Sequence, residues 1–307
     1  MISRNSKLND EKKCTAAPQM KKITDEDIQY FDENGFVILR AIIQADELAE
    51  IKKESLRLID EVLAGGPAGS WCSRGPEGVP YYLRYLHSHP NSFSLRLLAH
   101  PFIADLLYRM VGFDFIPCFE SLVFKLPENG SSVPWHRDDQ HFAKTLRIFN
   151  VDIYPDASTV DNGCVWVVPG SHVWSVEEAA AMTERGQKHF NLPNAVPAEM
   201  EPGDVLLHHT KVLHGSQINS SRQLRRVIYF DQRTIAWNEK YRWWRRGFIA
   251  QRCKLLQRAF NERAKAPYSS DEEQFKYQVP PGMPVWEEQD VFDLRIEHDK
   301  YTYQGRQ

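Results

Sequence analysis

Two histidines and an aspartate have the residue types and spacing that suit a metal ion. His136 and Asp138 lie two positions apart in VPWHRDDQHF, where the pattern favours the end of a strand. Side chains at positions i and i+2 of a strand point to the same face, so this pair can present an imidazole and a carboxylate to one ion. With 11 histidines and 41 acidic residues in 307, about 1.5 His-x-acid pairs (11 × 41/307) arise by chance, so a further ligand is needed.

His214 is the candidate third ligand, and Arg225 follows it by 11 positions. Two histidines and one carboxylate form the facial set of non-haem iron(II) oxygenases, which leaves three metal positions open. An arginine in the same cavity would hold a carboxylate through its planar pair of donors. 2-Oxoglutarate requires both features, because one end chelates the metal and the far carboxylate needs a cation. The four residues therefore predict Fe(II), 2-oxoglutarate and O2 as cofactor and cosubstrates.

The predicted secondary structure that must position these residues changes from mainly helical to mainly strand at about residue 115. Before it, apolar spacing and caps predict helices at 23–35, 44–64, 91–99 and 101–111, a strand at 36–39 and a loop at 65–82. After it come short β-branched and aromatic runs separated by Gly, Pro, Asn and Asp, up to about Arg233, and then a helix from Trp237 to about residue 266. This pattern predicts a mainly β fold with flanking helices, of the sandwich or jelly-roll type.

The composition of the chain indicates its domain organisation, its classes of partner and its cellular location. We expect a disordered tail at 1–22, an oxygenase domain at 23–236 and a helical and irregular extension at 237–307 packed on the same domain. The net charge of −3 and the lack of a long apolar run predict no nucleic-acid partner and no membrane partner. Five scattered cysteines favour a cytoplasmic protein. The C-terminal helix is a candidate homodimer surface, although its basic side more simply faces solvent.

Four segments together resemble the phytanoyl-CoA dioxygenase family of iron(II)/2-oxoglutarate oxygenases. They are VPWHRDDQHF, DNGCVWVVPGSH, PGDVLLHHTKVLHGS and the arginine at position 225, in the order in which the family has them. The resemblance spans roughly residues 25–233. It implies a double-stranded β-helix, or cupin-like jelly roll, with His136, Asp138 and His214 as iron ligands, Arg225 as the 2-oxoglutarate anchor and Ser216 as a helper at the cosubstrate carboxylate.

Other residues near these motifs leave alternatives open. His208 and His209 compete for the third ligand position, and the family pattern and the spacing to the arginine favour His214. Lys125 either helps to hold 2-oxoglutarate or is a paired or solvated lysine. Asp152 stands in FNVDIYPD, where the family often has a tryptophan or a small residue, so an inward-pointing side chain would put an acid near the cavity.

The resulting functional hypothesis is a 2-oxoglutarate-dependent dioxygenase that hydroxylates a small organic substrate and releases succinate and CO2. The same cofactors would also support desaturation, cyclisation or epoxidation of a secondary metabolite. The alternative from another class is a non-catalytic cupin-like module that binds a metal or a ligand, which an intact triad with Arg225 argues against.

Overall fold

The computed structural model describes residues 21–75, 77–139, 147–242 and 244–294. Most of the expected N-terminal tail, residues 1–20, and the end of the expected extension, residues 295–307, lie outside the described residues. The helices are α1 (Asp25–Asn34), α2 (Ala45–Leu63), α3 (Phe93–Leu98), α4 (Pro101–Val111), α5 (Val176–Lys188), α6 (Ile235–Tyr241) and α7 (Arg246–Ala264). The strands are β1 (Phe36–Leu39), β2 (Cys72–Arg74), β3 (Pro80–Arg84), β4 (Phe115–Lys125), β5 (Val133–His136), β6 (Phe149–Ile153), β7 (Val165–Val167), β8 (Val196–Ala198), β9 (Val205–His209), β10 (His214–Ser216) and β11 (Arg225–Thr234).

The strands form two antiparallel sheets. The larger has the order β1-β9-β6-β11-β4-β3-β2 and the smaller has the order β5-β10-β7-β8. Strands that are distant in sequence are neighbours in both sheets, as in a jelly roll. Alternate residues of β4, β6 and β11 face the space between the sheets, and the others face the helices. The predicted mainly β, cupin-like fold with flanking helices is confirmed.

The first helix and strand show how local sequence sets the ends of these elements. The Thr24 hydroxyl accepts from the Asp27 amide at 3.1 Å, and the Asp27 carboxylate accepts from the Thr24 amide at 3.0 Å, which closes a capping box. Gly35 ends the helix with a φ of 79°, a left-handed conformation that glycine adopts without strain. Strand β1 follows at once and pairs with β9.

Two stretches differ from the sequence-based expectation. Residues 65–82, expected as a loop, contain β2 and the start of β3; Pro80 is the first residue of β3, where no ladder N–H is required. The single helix expected after Trp237 is broken between α6 and α7. The Asn238 side chain bonds both the amide of Trp244, at 2.8 Å, and its carbonyl, at 3.1 Å, and this stabilises the turn.

Helix α7 packs within its own chain. Its apolar residues are buried and lie against α3 and β4. Arg252 of this helix pairs with Glu120 of β4, and the accessible surface of both side chains is 0%. The apolar face of α7 is therefore covered by the same chain, and the structure does not support the homodimer that was expected through this helix. None of the described helices combines the length and apolarity that a membrane crossing needs.

Candidate active site

Three predicted ligands meet at the mouth of the space between the sheets. His136 ends β5 and lies directly across from His214, the first residue of β10. Asp138 lies two residues past the end of β5, and its Oδ1 is 3.4 Å from His136 Nε2 and 3.8 Å from His214 Nε2. One ligand atom from each residue lies within 4.8 Å of the other two. Two nitrogens and one carboxylate oxygen at this spacing fit a first-row metal ion.

The two imidazoles are held in the tautomer that a metal requires. His136 Nδ1 donates to the Pro134 carbonyl at 2.8 Å, and His214 Nδ1 donates to the Val212 carbonyl at 3.0 Å. Because Nδ1 carries the proton, each Nε2 lone pair is left facing Asp138. Burial, together with the neighbouring His136, lowers the pKa of His214 to about 3, so its ring is neutral. Burial alone would raise the pKa of Asp138, but the surrounding histidines hold it well below its usual range.

Arg225 lies in the same cavity as the triad, at the start of β11. Its guanidinium is buried, and Nε donates to the Ser158 hydroxyl at 3.1 Å. Its Nη2 is buried with no hydrogen-bond partner among the described residues. A buried cationic donor without an acceptor is costly, so this atom indicates the place of an anionic ligand. Ser216, also buried, lines the same cavity from β10.

Lys125 is the neighbour of Arg225 in the ladder between β4 and β11. Its Nζ donates to the Gln217 carbonyl, and the side chain is buried. Burial and the charge of Arg225 lower the pKa of Lys125 to about 6. The lysine is therefore next to Arg225 but is paired to backbone, and a role with 2-oxoglutarate stays a prediction.

The cavity has a volume of about 360 Å³, and part of its wall, the aromatic end, consists mainly of aromatic side chains. Residues that line this end are Tyr81, Tyr82, Phe119, Tyr229 and Asp231. Asp231 contacts Arg233, and burial raises its pKa to about 6 although the arginine opposes the change. Sequence reasoning missed these residues. The alternation of side chains along β11 could have predicted two of them, since Tyr229 and Asp231 lie an even number of positions from Arg225 and share its face.

The two histidines that competed for the third ligand position have different surroundings. The His209 ring stacks on Phe31, with centroids 6.3 Å apart, and its Nδ1 accepts from the Lys211 amide at 3.0 Å. His208 lies between two carboxylates, with Nδ1 2.8 Å from Asp152 Oδ2 and Nε2 3.1 Å from Asp138 Oδ2. Burial would lower the pKa of His208, but these acids raise it to about 10. The inward acid expected at Asp152 is therefore present and is paired.

Comparison with known proteins decides the family. A family model described as phytanoyl-CoA dioxygenase (PhyH) matches residues 31–227. The chain belongs to the phytanoyl-CoA dioxygenase family. The prediction made from its four sequence segments is confirmed, and the enzyme is an iron(II)- and 2-oxoglutarate-dependent oxygenase, as its family membership requires.

Individual relatives of this dioxygenase are distant in sequence. A phytanoyl-CoA dioxygenase domain-containing protein 1 from Danio rerio is 20% identical over 69% of this chain and 90% of its own. A methylphosphonate hydroxylase from Gimesia maris is 24% identical over 70% of this chain and 82% of its own. The crystal structure of EctD from S. alaskensis with 2-oxoglutarate and 5-hydroxyectoine superposes with a TM-score of 0.58 at 23% identity, over 70% of this chain and 77% of that one.

Proposed function

We propose that this phytanoyl-CoA dioxygenase family member hydroxylates a small organic substrate, with His136, Asp138 and His214 as iron ligands and Arg225 as the anchor of 2-oxoglutarate. The observation that carries the proposal is the shared cavity. It contains three facing ligand atoms and a buried guanidinium donor without an acceptor. A structural metal site would need no such donor, so the arginine favours catalysis over a binding module.

The side chains have separate roles in this scheme. Bound iron(II), with 2-oxoglutarate and dioxygen, supplies the oxidation and yields succinate and CO2. The triad holds the metal on one side, and Arg225 fixes the far carboxylate of the cosubstrate by charge-assisted hydrogen bonds. Apolar side chains of Val123, Val133 and Val165 line the cavity beside these groups and limit access of water. The aromatic end then receives the substrate.

Hydroxylation is proposed over desaturation, cyclisation or epoxidation because a relative matched over 82% of its own chain is named as a methylphosphonate hydroxylase. The position of the substrate in the aromatic end decides among these outcomes. The cavity volume of about 360 Å³, shared with the cosubstrate, favours a small molecule. A cytoplasmic location stays a proposal that rests on the scattered cysteines.

The anchoring role can be tested with two adjacent arginines. Arg225→Lys keeps the charge but loses the planar fork, so we expect the Kd for 2-oxoglutarate to rise about tenfold to hundredfold, which corresponds to roughly 1.5–3 kcal/mol. Arg226 points to the other side of β11 and makes two bonds of 2.7 Å to Asp156. Arg226→Lys should leave the cosubstrate Kd unchanged. The measurement is anaerobic titration of the iron-loaded protein, followed by its visible charge-transfer band.

Iron affinity provides the second readout of the same experiment. Both lysine variants should bind iron(II) as the wild type does, because neither arginine contacts the triad. The reverse order, with Arg226→Lys weakening 2-oxoglutarate and Arg225→Lys not, would show that a different face of β11 holds the cosubstrate. A wild-type protein that gives no iron-dependent band at all would refute the proposed function.

A further inference from the structure

The two oxygens of Asp138 have different surroundings. Oδ1 faces the Nε2 atoms of His136 and His214. Oδ2 is 2.8 Å from Asn150 Nδ2 and 3.1 Å from His208 Nε2. The amide and the imidazole nitrogens are 3.2 Å from each other because they converge on the same oxygen. One oxygen is therefore available to a metal, and the other is taken by two donors from the large sheet.

The large sheet holds both donors by strand pairing. Asn150 of β6 lies directly opposite His208 of β9. Asp152 is two positions after Asn150 on the same face of β6, and its Oδ2 accepts from His208 Nδ1 at 2.8 Å. His208 is 2% exposed and Asp152 is 0% exposed, so neither side chain is free to turn into solvent. Each ring nitrogen lies within hydrogen-bond distance of a carboxylate oxygen, so the ring is placed to donate from Nε2 to Asp138 Oδ2.

We propose that His208, oriented by Asp152 and assisted by Asn150, is a positioning residue that keeps Asp138 bound to iron through one oxygen. This inference rests on the proposed function. Chelation by 2-oxoglutarate uses two metal positions and dioxygen uses a third, which are all that a facial triad leaves open. A carboxylate that bound through both oxygens would occupy one of these three. The donors on Oδ2 oppose that second bond, so they preserve the position that the cosubstrate needs.

The test compares two adjacent histidines. His208→Phe keeps a ring of similar size but removes the donor to Oδ2, whereas His209→Phe changes a buried ring that stacks on Phe31 on the other face of β9. At saturating iron(II), we expect His208→Phe to raise the Kd for 2-oxoglutarate by about tenfold to hundredfold, the range typical of lost ligand-orienting contacts. The charge-transfer band of the complex should also shift. His209→Phe should change neither quantity.

Variants with partial function separate positioning from packing. His208→Gln offers an amide that can donate to Oδ2, so we expect it to recover most of the cosubstrate affinity. Asp152→Asn still accepts from His208 Nδ1 and should resemble the wild type, whereas Asp152→Leu should resemble His208→Phe. If His208→Phe does not fold, the two Asp152 variants decide the question, because a role in packing alone predicts no difference in cosubstrate Kd at saturating iron.

Three results would overturn the inference while leaving the proposed function intact. The first is a wild-type 2-oxoglutarate Kd and band position in His208→Phe. The second is complete loss of iron binding in His208→Phe, which would mean that His208 is needed to assemble the metal site and does not merely set how Asp138 binds. The third is equal effects of His208→Phe and His209→Phe, which would indicate general disturbance of β9. In each case the wild-type protein still shows its iron-dependent band, so failure of the two proposals is distinguishable.

Discussion

Separate replacement of Arg252 and Glu120 should destabilise the protein strongly, and joint replacement should not. Arg252 is in α7. Its Nη1 donates to Glu120 Oε2 at 2.5 Å and its Nη2 donates to the Leu294 carbonyl at 2.5 Å, and both charged side chains are fully buried. Glu120 is on the face of β4 that points away from the cavity. The pair therefore joins the C-terminal helix and the segment after it to the main sheet without contact with the active site.

The expected magnitudes follow from burial. A charge left without its partner in the interior costs about 3–5 kcal/mol, so Arg252→Met and Glu120→Leu should each lower the free energy of unfolding by that amount. Glu120 Oε1 and Arg252 Nε already have no hydrogen-bond partner among the described residues, so the native pair is incompletely satisfied. The double variant loses mainly the bond to the Leu294 carbonyl and should lie within about 2 kcal/mol of the wild type.

Urea denaturation of the four proteins, followed by fluorescence and circular dichroism, measures this cycle. Iron affinity serves as a control and should be equal in all four. Additive losses, in which the double variant costs the sum of the two single variants, would refute the reasoning. A separate early transition for the C-terminal helix in the single variants would contradict the expectation that the extension at 237–307 packs on the same domain as the sheets.

Two further predictions concern other positions. Gly186→Ala should destabilise the protein by about 1–3 kcal/mol, because the added Cβ would lie 2.5 Å from Trp135 Cδ1. Trp135 is next to His136, so this variant should also weaken iron binding. Gly247 is a helical glycine with open space around it, so Gly247→Ala should instead stabilise the protein by about 0.5–1 kcal/mol. Lys125→Met tests the buried lysine. The pKa of Lys125 is about 6 in the folded protein, against an ordinary value of 10.5. Between these two pH values the unfolded wild type binds one more proton than the folded wild type. The stability of the wild type relative to the variant should therefore rise by about 1.4 kcal/mol per pH unit from pH 7 to 9. A difference in urea stability that does not change with pH would mean that the lysine is charged in the fold.

Sequence reasoning was strongest where short-range pattern and chemistry coincide. The Thr24 cap, the Gly35 stop and the alternation of the strands after residue 115 are local signals, and the structure has each of them. The meeting of the three proposed iron ligands was also predictable, because ligand chemistry restricts which residue types suit iron and the His-x-Asp spacing brings two of them together. Of the three residues, His214 alone is distant in the sequence from the other two.

The missed features depend on which strands pair. Nothing local to Asp152, Asn150 or His208 indicates that β6 and β9 are neighbours, yet that pairing places two donors on Asp138 Oδ2. Helix α5 was missed although Ser175 and Glu178 form a capping box. Strand β3 was read as loop because proline and glycine surround it, and its pairing with β4 overrides those local preferences.

The pairing of β4 with β11 has a consequence for how the enzyme is made. Lys125 lies beside Arg225, so residues separated by 100 positions (225 − 125) must meet, and His136 must similarly meet His214. Contacts this distant along the chain slow folding, since a long loop must close before they form. During synthesis the ribosome releases His136 and Asp138 well before their third partner exists. If these residues hold iron as proposed, the full ligand set is assembled only after β10 has emerged, and metal loading is then coupled to nearly complete translation of the β domain.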